Sequence, residues 1–287
     1  MPLLEVRDLS VRFKMKRQTV FAVNGVDLDL NAGEVLCILG ESGSGKSVLL
    51  RELMRINPPA ITQAEGSIHV DGHDIVAIGE QIEEAILRHE PISQAAARQR
   101  AIELLEMVQI PSAKWRHSAY PHELSGGLRQ RAMIAMALSC RPRLLLADEP
   151  TTALDATVQI QVLFLLRQLQ HELGMGVIFV THDIGVACEI ADRVAVMYAG
   201  RFVEEAPVVE IMDGARHPYS RGLMAATVDS SQRGQRLMTI PGAPPRLTHL
   251  EDGCAFSPRC GYAEARCLSV MPPFVGTDAH RVRCVRA

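Results

Sequence analysis

The sequence predicts an α/β fold in which helices cover a mainly parallel sheet. Three apolar runs, residues 35–39, 144–147 and 177–180, are typical of strands that are buried on both faces. Each run ends in a glycine or in polar residues, and the first two lead into segments with helical character. Because the carboxyl ends of parallel strands meet at one edge of a sheet, we expect the residues after these runs to form one site.

Composition narrows the class of protein. The chain has 287 residues, enough for one large α/β domain and a smaller appendage, and 47% of them are hydrophobic. Its formal net charge of −3 indicates no basic field for nucleic acid. No apolar run reaches the ~18 residues of a membrane span. The first residues lack the basic and apolar regions of a secretory signal, so we expect a cytosolic chain.

The N-terminal part predicts antiparallel strands. Segments 4–7, 11–13 and 26–30 alternate between apolar and polar residues. Turn residues at 24–25 and 31–33 separate them. A further short strand is predicted later in the chain, over residues 66–72.

The segment after the first buried strand fits the pattern G-x-x-x-x-G-K-[ST] of a phosphate-binding P-loop. Its residues are Gly40, Glu41, Ser42, Gly43, Ser44, Gly45, Lys46 and Ser47. Glycines let successive backbone N–H groups point at one anion, and the helix predicted over residues 48–55 adds its partial positive charge. Lys46 can reach the β- and γ-phosphates of a nucleotide, and Ser47 can ligate Mg²⁺. The alternative is a Gly/Ser turn that binds nothing.

A second helix start offers another place for an anion. A helix is first predicted over residues 94–109, from the apolar face that its residues share. Ser125 then occupies the N-cap position of a later helix, and Gly126 and Gly127 leave backbone N–H groups bare at its start. Ser-Gly-Gly also caps many helices without binding anything, so this signal is weak by itself.

Polar residues follow the second and third buried strands. Asp148 is placed to hold Mg²⁺, directly or through water, and Glu149 to accept a proton from an attacking water. The alternative is that these two acids are simply solvated at a strand end, and the presence of a P-loop in the same chain disfavours it. His182 follows the third strand at the same edge. We expect it to contact a γ-phosphate, and the alternative is an ordinary surface histidine. Segments 194–198 and 201–204 then predict a β-hairpin.

In this order, the motifs resemble those of ABC transporter ATP-binding subunits. The matching residues are the P-loop 40–47, the signature 124–130, the Walker B acids Asp148 and Glu149, the D-loop 153–155 with Asp155, and the switch His182. The resemblance implies an ABC ATPase domain over residues 1–212, with a mainly parallel core sheet, an antiparallel β subdomain and a helical subdomain at about 79–140. It also implies that Phe13 stacks on adenine, for which an ordinary strand aromatic is the alternative.

Residues 213–287 resemble the C-terminal extension of dipeptide, oligopeptide and nickel importer ATPases. Segments 216–221, 240–245 and 253–260 carry this likeness. Similar late cysteines can hold an iron–sulfur cluster in that subfamily, which implies a [4Fe–4S] cluster here on Cys254, Cys260, Cys267 and Cys284. Disulfides, a zinc site and four unrelated thiols are the alternatives. We expect a structural role for the cluster, pinning a loop-rich tail, and nothing in the sequence places it at the nucleotide site.

The chain departs from the family pattern ahead of the signature. Family members have an apolar strand there that ends in the Q-loop glutamine, but too few residues separate Gly72 from Leu124 to hold it. The missing segment would fall near Ile78-Gly79, and Gln81 is no substitute because no strand of adequate length precedes it. Its absence predicts a bare sheet edge beside the Walker B strand. It also predicts that ATP binding is retained, while ATP hydrolysis and its coupling to the membrane subunits are impaired.

The resemblance implies an ATPase that powers a peptide-class ABC importer. Two such domains would meet head to tail, as a homo- or heterodimer, with each MgATP between one P-loop and the Ser125-Gly126-Gly127 signature of the other. Further partners would be two transmembrane permease subunits and, indirectly, a substrate-binding protein, at the cytoplasmic face of the inner membrane. One alternative is an ATP-binding subunit with little hydrolysis. The other is a soluble ABC ATPase acting on nucleic acid or ribosomes, which the acidic net charge and the importer-like tail disfavour.

Overall fold

The computed structural model describes residues 2–15, 18–41, 43–54, 57–58, 61–70, 82–117, 124–151, 154–226, 239–245, 252–277 and 279–286. In chain order the strands are β1 (Leu4–Lys14), β2 (Thr19–Leu30), β3 (Val35–Leu39), β4 (Thr62–Val70), β5 (Leu144–Asp148), β6 (Gly176–Thr181), β7 (Arg193–Tyr198), β8 (Arg201–Pro207), β9 (Val275–Gly276) and β10 (Arg281–Val282). The helices are α1 (Lys46–Leu53), α2 (Ile82–His89), α3 (Gln94–Met107), α4 (Ala113–Arg116), α5 (Gly126–Leu138), α6 (Ala156–Leu173), α7 (Ile184–Ile190), α8 (Val208–Gly214), α9 (Pro218–Ala225) and α10 (Ala265–Ser269).

Two sheets organise the described residues. The larger has the strand order β5-β6-β3-β7-β8-β10-β9, and its first four strands are parallel. The predicted hairpin of β7 and β8 is present and begins the antiparallel part. Every residue of β3 and β6 is buried, as expected for strands covered on both faces. The predicted α/β fold class with its mainly parallel core sheet is therefore confirmed.

The smaller sheet is antiparallel, with the order β2-β1-β4. The sequence predicts two short strands where the structure has the single strand β1, because a bulge near Asp8 interrupts the alternation without ending the pairing. Asp8 itself has a φ of 47°. The turn predicted at Asn24-Gly25 is also wrong, since both residues lie inside β2. A glycine with positive φ (59° at Gly25) serves an irregularity within a strand as well as a turn.

Strand β5 ends the larger sheet. Among the described residues it pairs with β6 on one side, and no strand pairs with its other side. Leu144 and Leu146 are only half-buried, in contrast to the fully buried residues of β6. This is the edge that the shortened sequence predicts to be bare. The proposed junction near Ile78-Gly79, and Gln81 with it, lie outside the described residues.

Helices cover the parallel strands. On α6, Val162, Leu165, Leu166 and Leu169 form the face that is buried in the core. Leu173, the last residue of the helix, is 46% exposed. Helices α2, α3 and α5 pack against one another beside this core. Among the described residues, none of the helices combines the length and the apolar character that crossing a membrane requires.

The C-terminal residues pack onto the main body. Strand β10 continues the larger sheet beyond β8, and its Val282 is fully buried. Tyr219 and Phe256 are buried as well, in an aromatic cluster with Tyr198. Nε2 of His280 lies 2.8 Å from Oε1 of the buried Glu204, within hydrogen-bonding distance. The sequence suggested that such a tail needs a cross-link to be ordered, whereas the described part is held by apolar burial and buried polar contacts.

His217 makes this packing sensitive to acid. It caps α9 by accepting the N–H of Tyr219 at Nδ1, 3.1 Å away. Burial lowers the pKa of His217 to about 4, against the opposing charge of Glu204. An unfolded histidine has a pKa near ~6.5. Between pH 6.5 and 4 this imidazole is therefore protonated in the unfolded chain and neutral in the folded chain. The free energy of unfolding falls as the pH falls through that window.

We expect His217→Asn to weaken this pH dependence, because asparagine keeps a capping acceptor and does not titrate. Between pH 7 and pH 4, the free energy of unfolding should fall by less in the variant than in the parent, by up to about 3 kcal/mol. Urea unfolding at pH 7, 5.5 and 4 measures the difference. His171→Asn on the exposed face of α6 is the matched control and should follow the parent. Equal losses in the parent and the His217 variant would contradict the buried neutral imidazole.

Candidate functional site

The P-loop connects β3 to α1 as the motif requires. Gly43 and Gly45 have φ values of 80° and 102°, which side-chain-bearing residues rarely adopt. Packing imposes a second constraint. A Cβ at Gly45 would lie 2.1 Å from the carbonyl oxygen of Ala22, and one at Gly40 would lie 2.3 Å from that of Met197. The loop is therefore wedged between β2 and the end of β7, and Ser42 lies outside the described residues.

Lys46 is folded against the loop that precedes it. Its Nζ donates to the carbonyl oxygens of Gly40, at 2.7 Å, and Glu41, at 3.0 Å. Burial lowers the pKa of Lys46, and the nearby charges of Glu149 and Asp148 oppose that shift. An ammonium group held at the loop and flanked by backbone N–H groups is suited to an anion.

Ser47 and Asp148 meet across the sheet edge. The Ser47 hydroxyl at the start of α1 donates to Oδ1 of Asp148, at 3.0 Å. Asp148 is the last residue of β5. A hydroxyl and a carboxylate are hard oxygen ligands of the kind that Mg²⁺ takes, together with waters and substrate phosphates. The pair fits the predicted magnesium position.

Glu149 and His182 form a second pair at this edge. Oε1 of Glu149 lies 3.0 Å from Nδ1 of His182. Glu149 has a φ of 46°, in the left-handed region, and its N–H donates to the carbonyl of Val180. Such a conformation costs on the order of 1–3 kcal/mol and persists where the surroundings enforce it, often at functional sites. The backbone conformation of Glu149 therefore orients its carboxylate, and the imidazole of His182, which is 60% exposed, contacts that carboxylate.

Ser125 and Asp155 are both helix caps in this chain. Ser125 accepts the N–H of Leu128 at the start of α5, and Asp155 accepts that of Val158 at the start of α6. A Cβ at Gly127 would lie 2.5 Å from a methyl group of Val158, so the glycine lets α5 pack closely on α6. These are local roles, and a contact of the signature with a second chain stays a prediction. Of the D-loop, residue 153 lies outside the described part.

Phe13 lies on β1, half-buried against the apolar residues beneath the antiparallel sheet. This packing accounts for an aromatic residue at the position. It neither requires nor excludes a stacked base, so the adenine contact stays a prediction.

The four late cysteines come together around one cavity. Cys254, Cys260, Cys267 and Cys284 all line a space of ≈ 20 Å³. Burial raises the pKa of the Cys254 and Cys260 thiols. Among the described residues, however, no three histidine, cysteine or acidic side chains are placed so that they could hold a metal ion. The donor set suits a metal centre, but its arrangement does not show one.

The four cysteines line a cavity without P-loop residues, but a neighbouring residue of the extension does contact the P-loop. Arg259, which lies between two of the cysteines, forms an ion pair with the P-loop residue Glu41 at 3.2 Å. The backbone N–H of Glu41 donates to the hydroxyl of Tyr219, at 3.0 Å. Sequence reasoning missed Arg259 and Tyr219, because no local pattern signals contacts between residues some two hundred positions apart.

Comparison with known proteins assigns both parts of the chain. Residues 23–152 match the family model described as ABC transporter. Residues 203–267 match the one described as oligopeptide/dipeptide transporter, C-terminal region.

Curated relatives match over nearly the whole chain. A Brucella melitensis protein that bears the name of a peptide import ATP-binding protein is 42% identical, over 99% of this chain and 97% of its own length. The oligopeptide transport ATP-binding protein OppD of Bacillus subtilis is 44% identical, over 98% of this chain and 88% of its own length. The Brucella alignment extends over 328 positions although this chain has 287 residues. That relative therefore has a few dozen residues within the matched span which this chain lacks.

Solved structures match the larger part of the chain. A dimeric ATP-binding cassette in a post-hydrolysis state, bound to ADP and Pi, matches with a TM-score of 0.61 and 27% identity, over 71% of this chain and 98% of that one. The protein cbiO1 from Clostridium perfringens, part of an ABC transporter complex, matches with a TM-score of 0.62 and 26% identity, over 74% of this chain and 91% of that one.

Lys46 should dominate phosphate binding at this loop. Lys46→Ala removes the ammonium group but leaves the backbone N–H groups, so we expect MgATP binding to weaken at least tenfold, by several kcal/mol at most. Isothermal titration calorimetry with MgATP measures the dissociation constant. Arg51→Ala, on the exposed face of the same helix, is the matched control and should bind as the parent does. Unchanged affinity in the Lys46 variant would refute the site.

Proposed function

The chain belongs to the ABC transporter ATP-binding proteins of the oligopeptide and dipeptide import type, and from that premise we propose that it binds MgATP at residues 40–47 and uses it to drive closure of a head-to-tail dimer. Closure would move the transmembrane partners, since ATP binds the closed state better than the open one. The single observation that carries the proposal is the gathering of Lys46, the Ser47–Asp148 pair and the Glu149–His182 pair at one sheet edge.

Each group has a distinct role in the proposed reaction. Lys46 binds the β- and γ-phosphates, and Ser47 and Asp148 hold the magnesium ion that balances their charge. Glu149 orients the attacking water and accepts its proton, while His182 holds both Glu149 and the γ-phosphate. The 3.0 Å contact between Glu149 and His182 supports these roles, because it fixes the carboxylate that must contact the water.

We propose that the partner domain supplies Ser125, Gly126 and Gly127, with the D-loop Asp155 beside them. Two features support this. The first residues of α5 are Gly126 and Gly127, and the N–H groups at a helix start suit an anion. One structurally similar cassette is described as dimeric in its ADP- and Pi-bound state. Two permease subunits, and indirectly a substrate-binding protein, complete the proposed importer at the cytoplasmic face of the membrane.

A subunit that holds ATP with little hydrolysis is the second candidate. It is favoured by the residues that this chain lacks relative to the Brucella melitensis relative, and by the unpaired side of β5 in the described structure. We propose that the missing segment includes the Q-loop glutamine. The relatives' names favour transport over the third alternative, action on nucleic acid or ribosomes.

Hydrolysis by this chain should be slow. Loss of a group that positions the water commonly costs on the order of 10²-fold or more, while MgATP binding survives on the P-loop. Phosphate release at saturating MgATP, compared with the Bacillus subtilis relative under the same conditions, measures the difference. Glu149→Gln should abolish the remaining turnover, and Glu172→Gln on α6 should leave it unchanged. Brisk turnover that depends on Glu149 would show that the missing segment is dispensable.

We also propose a boundary near residue 212, within α8, and a [4Fe–4S] cluster on the four cysteines of the extension. The cluster proposal is supported by four thiols around one cavity, since thiolates are the ligands of such clusters. The thiols would have to adjust to bind it, because in the described structure they are not placed so that they could hold a metal ion. The cluster would supply a cross-link and takes no part in hydrolysis.

Anaerobic purification tests the cluster. We expect brown protein with broad absorbance near ~400 nm and about four irons per chain. Cys254→Ser should lose colour and iron, and Cys188→Ser, outside the group, should keep both. Stoichiometric zinc in colourless protein would replace the cluster by a zinc site. Metal-free protein with four freely titratable late thiols would end the metal proposal.

A further inference from the structure

We propose that Arg259 of the C-terminal extension is a positioning residue for the P-loop, acting through Glu41 to hold the loop in the form that accepts nucleotide phosphates. The proposal rests on the MgATP function above and adds to it a residue from outside the ATPase motifs. It starts from Glu41, the second residue of the P-loop, which is hydrogen-bonded to the extension through both its backbone N–H and its carboxylate.

Glu41 connects the extension to the loop lysine. Its carboxylate accepts from both terminal nitrogens of Arg259, at 3.2 and 3.4 Å. Its N–H donates to the hydroxyl of the fully buried Tyr219, and its carbonyl accepts from Nζ of Lys46, at 3.0 Å. One residue thus links two anchors in the extension to the group that should bind the phosphates.

Arg259 is built to hold this position. Its side chain is only 6% exposed, and its five N–H groups match five hydrogen bonds. Besides Glu41, these reach the carbonyls of Ile240 and Pro241 and the hydroxyl of Tyr198. A planar guanidinium group with all donors used is far more rigid than a lysine at the same place.

The surroundings extend the contact along the loop. Pro244 and Pro245, a few residues after two of the arginine's acceptors, line a small cavity together with Glu41, Gly43 and Ser44. The extension therefore reaches the P-loop at Glu41, Gly43 and Ser44. Ser47, which bonds Asp148, is not among the residues that line this cavity.

Two effects follow, and both favour nucleotide binding. Fixing Glu41 restricts the backbone at the start of the loop, so less ordering remains to be done when the phosphates bind. Pairing Glu41 also balances a carboxylate that is only 26% exposed, on the residue whose backbone carbonyl accepts from Lys46. Without Arg259 that charge would be left unbalanced beside an incoming polyanion, which it would repel.

The test measures MgATP affinity and loop mobility in the full chain. Arg259→Gln should raise the MgATP dissociation constant about tenfold, as expected when a hydrogen-bonded charge loses its partner. Adding Glu41→Gln to that variant should restore part of the affinity, because the unbalanced carboxylate is then gone. An anchor with a purely structural role would lower the melting temperature of the Arg259 variant and leave affinity unchanged. Arg266→Gln, an exposed arginine paired with Glu264 in the same extension, is the matched control.

Hydrogen exchange of the nucleotide-free protein provides an independent readout. Amides 43–47 should exchange several-fold faster in Arg259→Gln than in the parent and in Arg266→Gln, because the loop opens more readily. Arg259→Lys serves if the glutamine variant does not fold, and should show a smaller effect of the same sign. A parent that fails to bind MgATP would refute the proposed function, and exchange would still decide the role of Arg259. Unchanged exchange, or unchanged affinity where the parent binds, would overturn the positioning role.

Discussion

The parallel pairing of β3 with β6 on one side and β7 on the other is the interaction on which the site depends. Its register sets Leu39 opposite Thr181, and the register of β5 with β6 sets Asp148 opposite Val180. The residues that follow these strands therefore leave the sheet at one level. That is why a lysine, a hydroxyl, two carboxylates and an imidazole from three distant parts of the chain lie within one small region.

Close packing in the fold accounts for glycines that an anion site alone would not require. Strand β7 brings the carbonyl of Met197 so close to Gly40 that no Cβ fits between them. Gly45 meets Ala22 in the same way, and Gly127 meets Val158. At these positions the glycine serves close packing as well as the path of the backbone. A motif that is usually explained by its ligand is here fixed in part by its neighbours in the fold.

The C-terminal extension belongs to the same physical unit as the site. Strand β10 adds to the sheet beyond β8, and His280 bonds Glu204, which is fully buried and also accepts the N–H groups of Arg216 and His217. Leaving such buried polar groups without partners is costly, so these contacts favour the docked position of the extension. From that position the extension reaches the start of the P-loop.

The sequence by itself determined the α/β class, the P-loop with its strand and helix, the Ser125 cap of α5, and the family. These features are local, because periodicity, capping and glycine spacing are written within a few residues of one another. Tertiary structure decided the unbroken β1 strand, the Glu149–His182 pair, the left-handed φ of Glu149 and the ion pair of Arg259 with Glu41. Each of these depends on which distant segments pack together. A bulge is stabilised by its neighbouring strand, and a buried arginine by partners that adjacent sequence does not reveal.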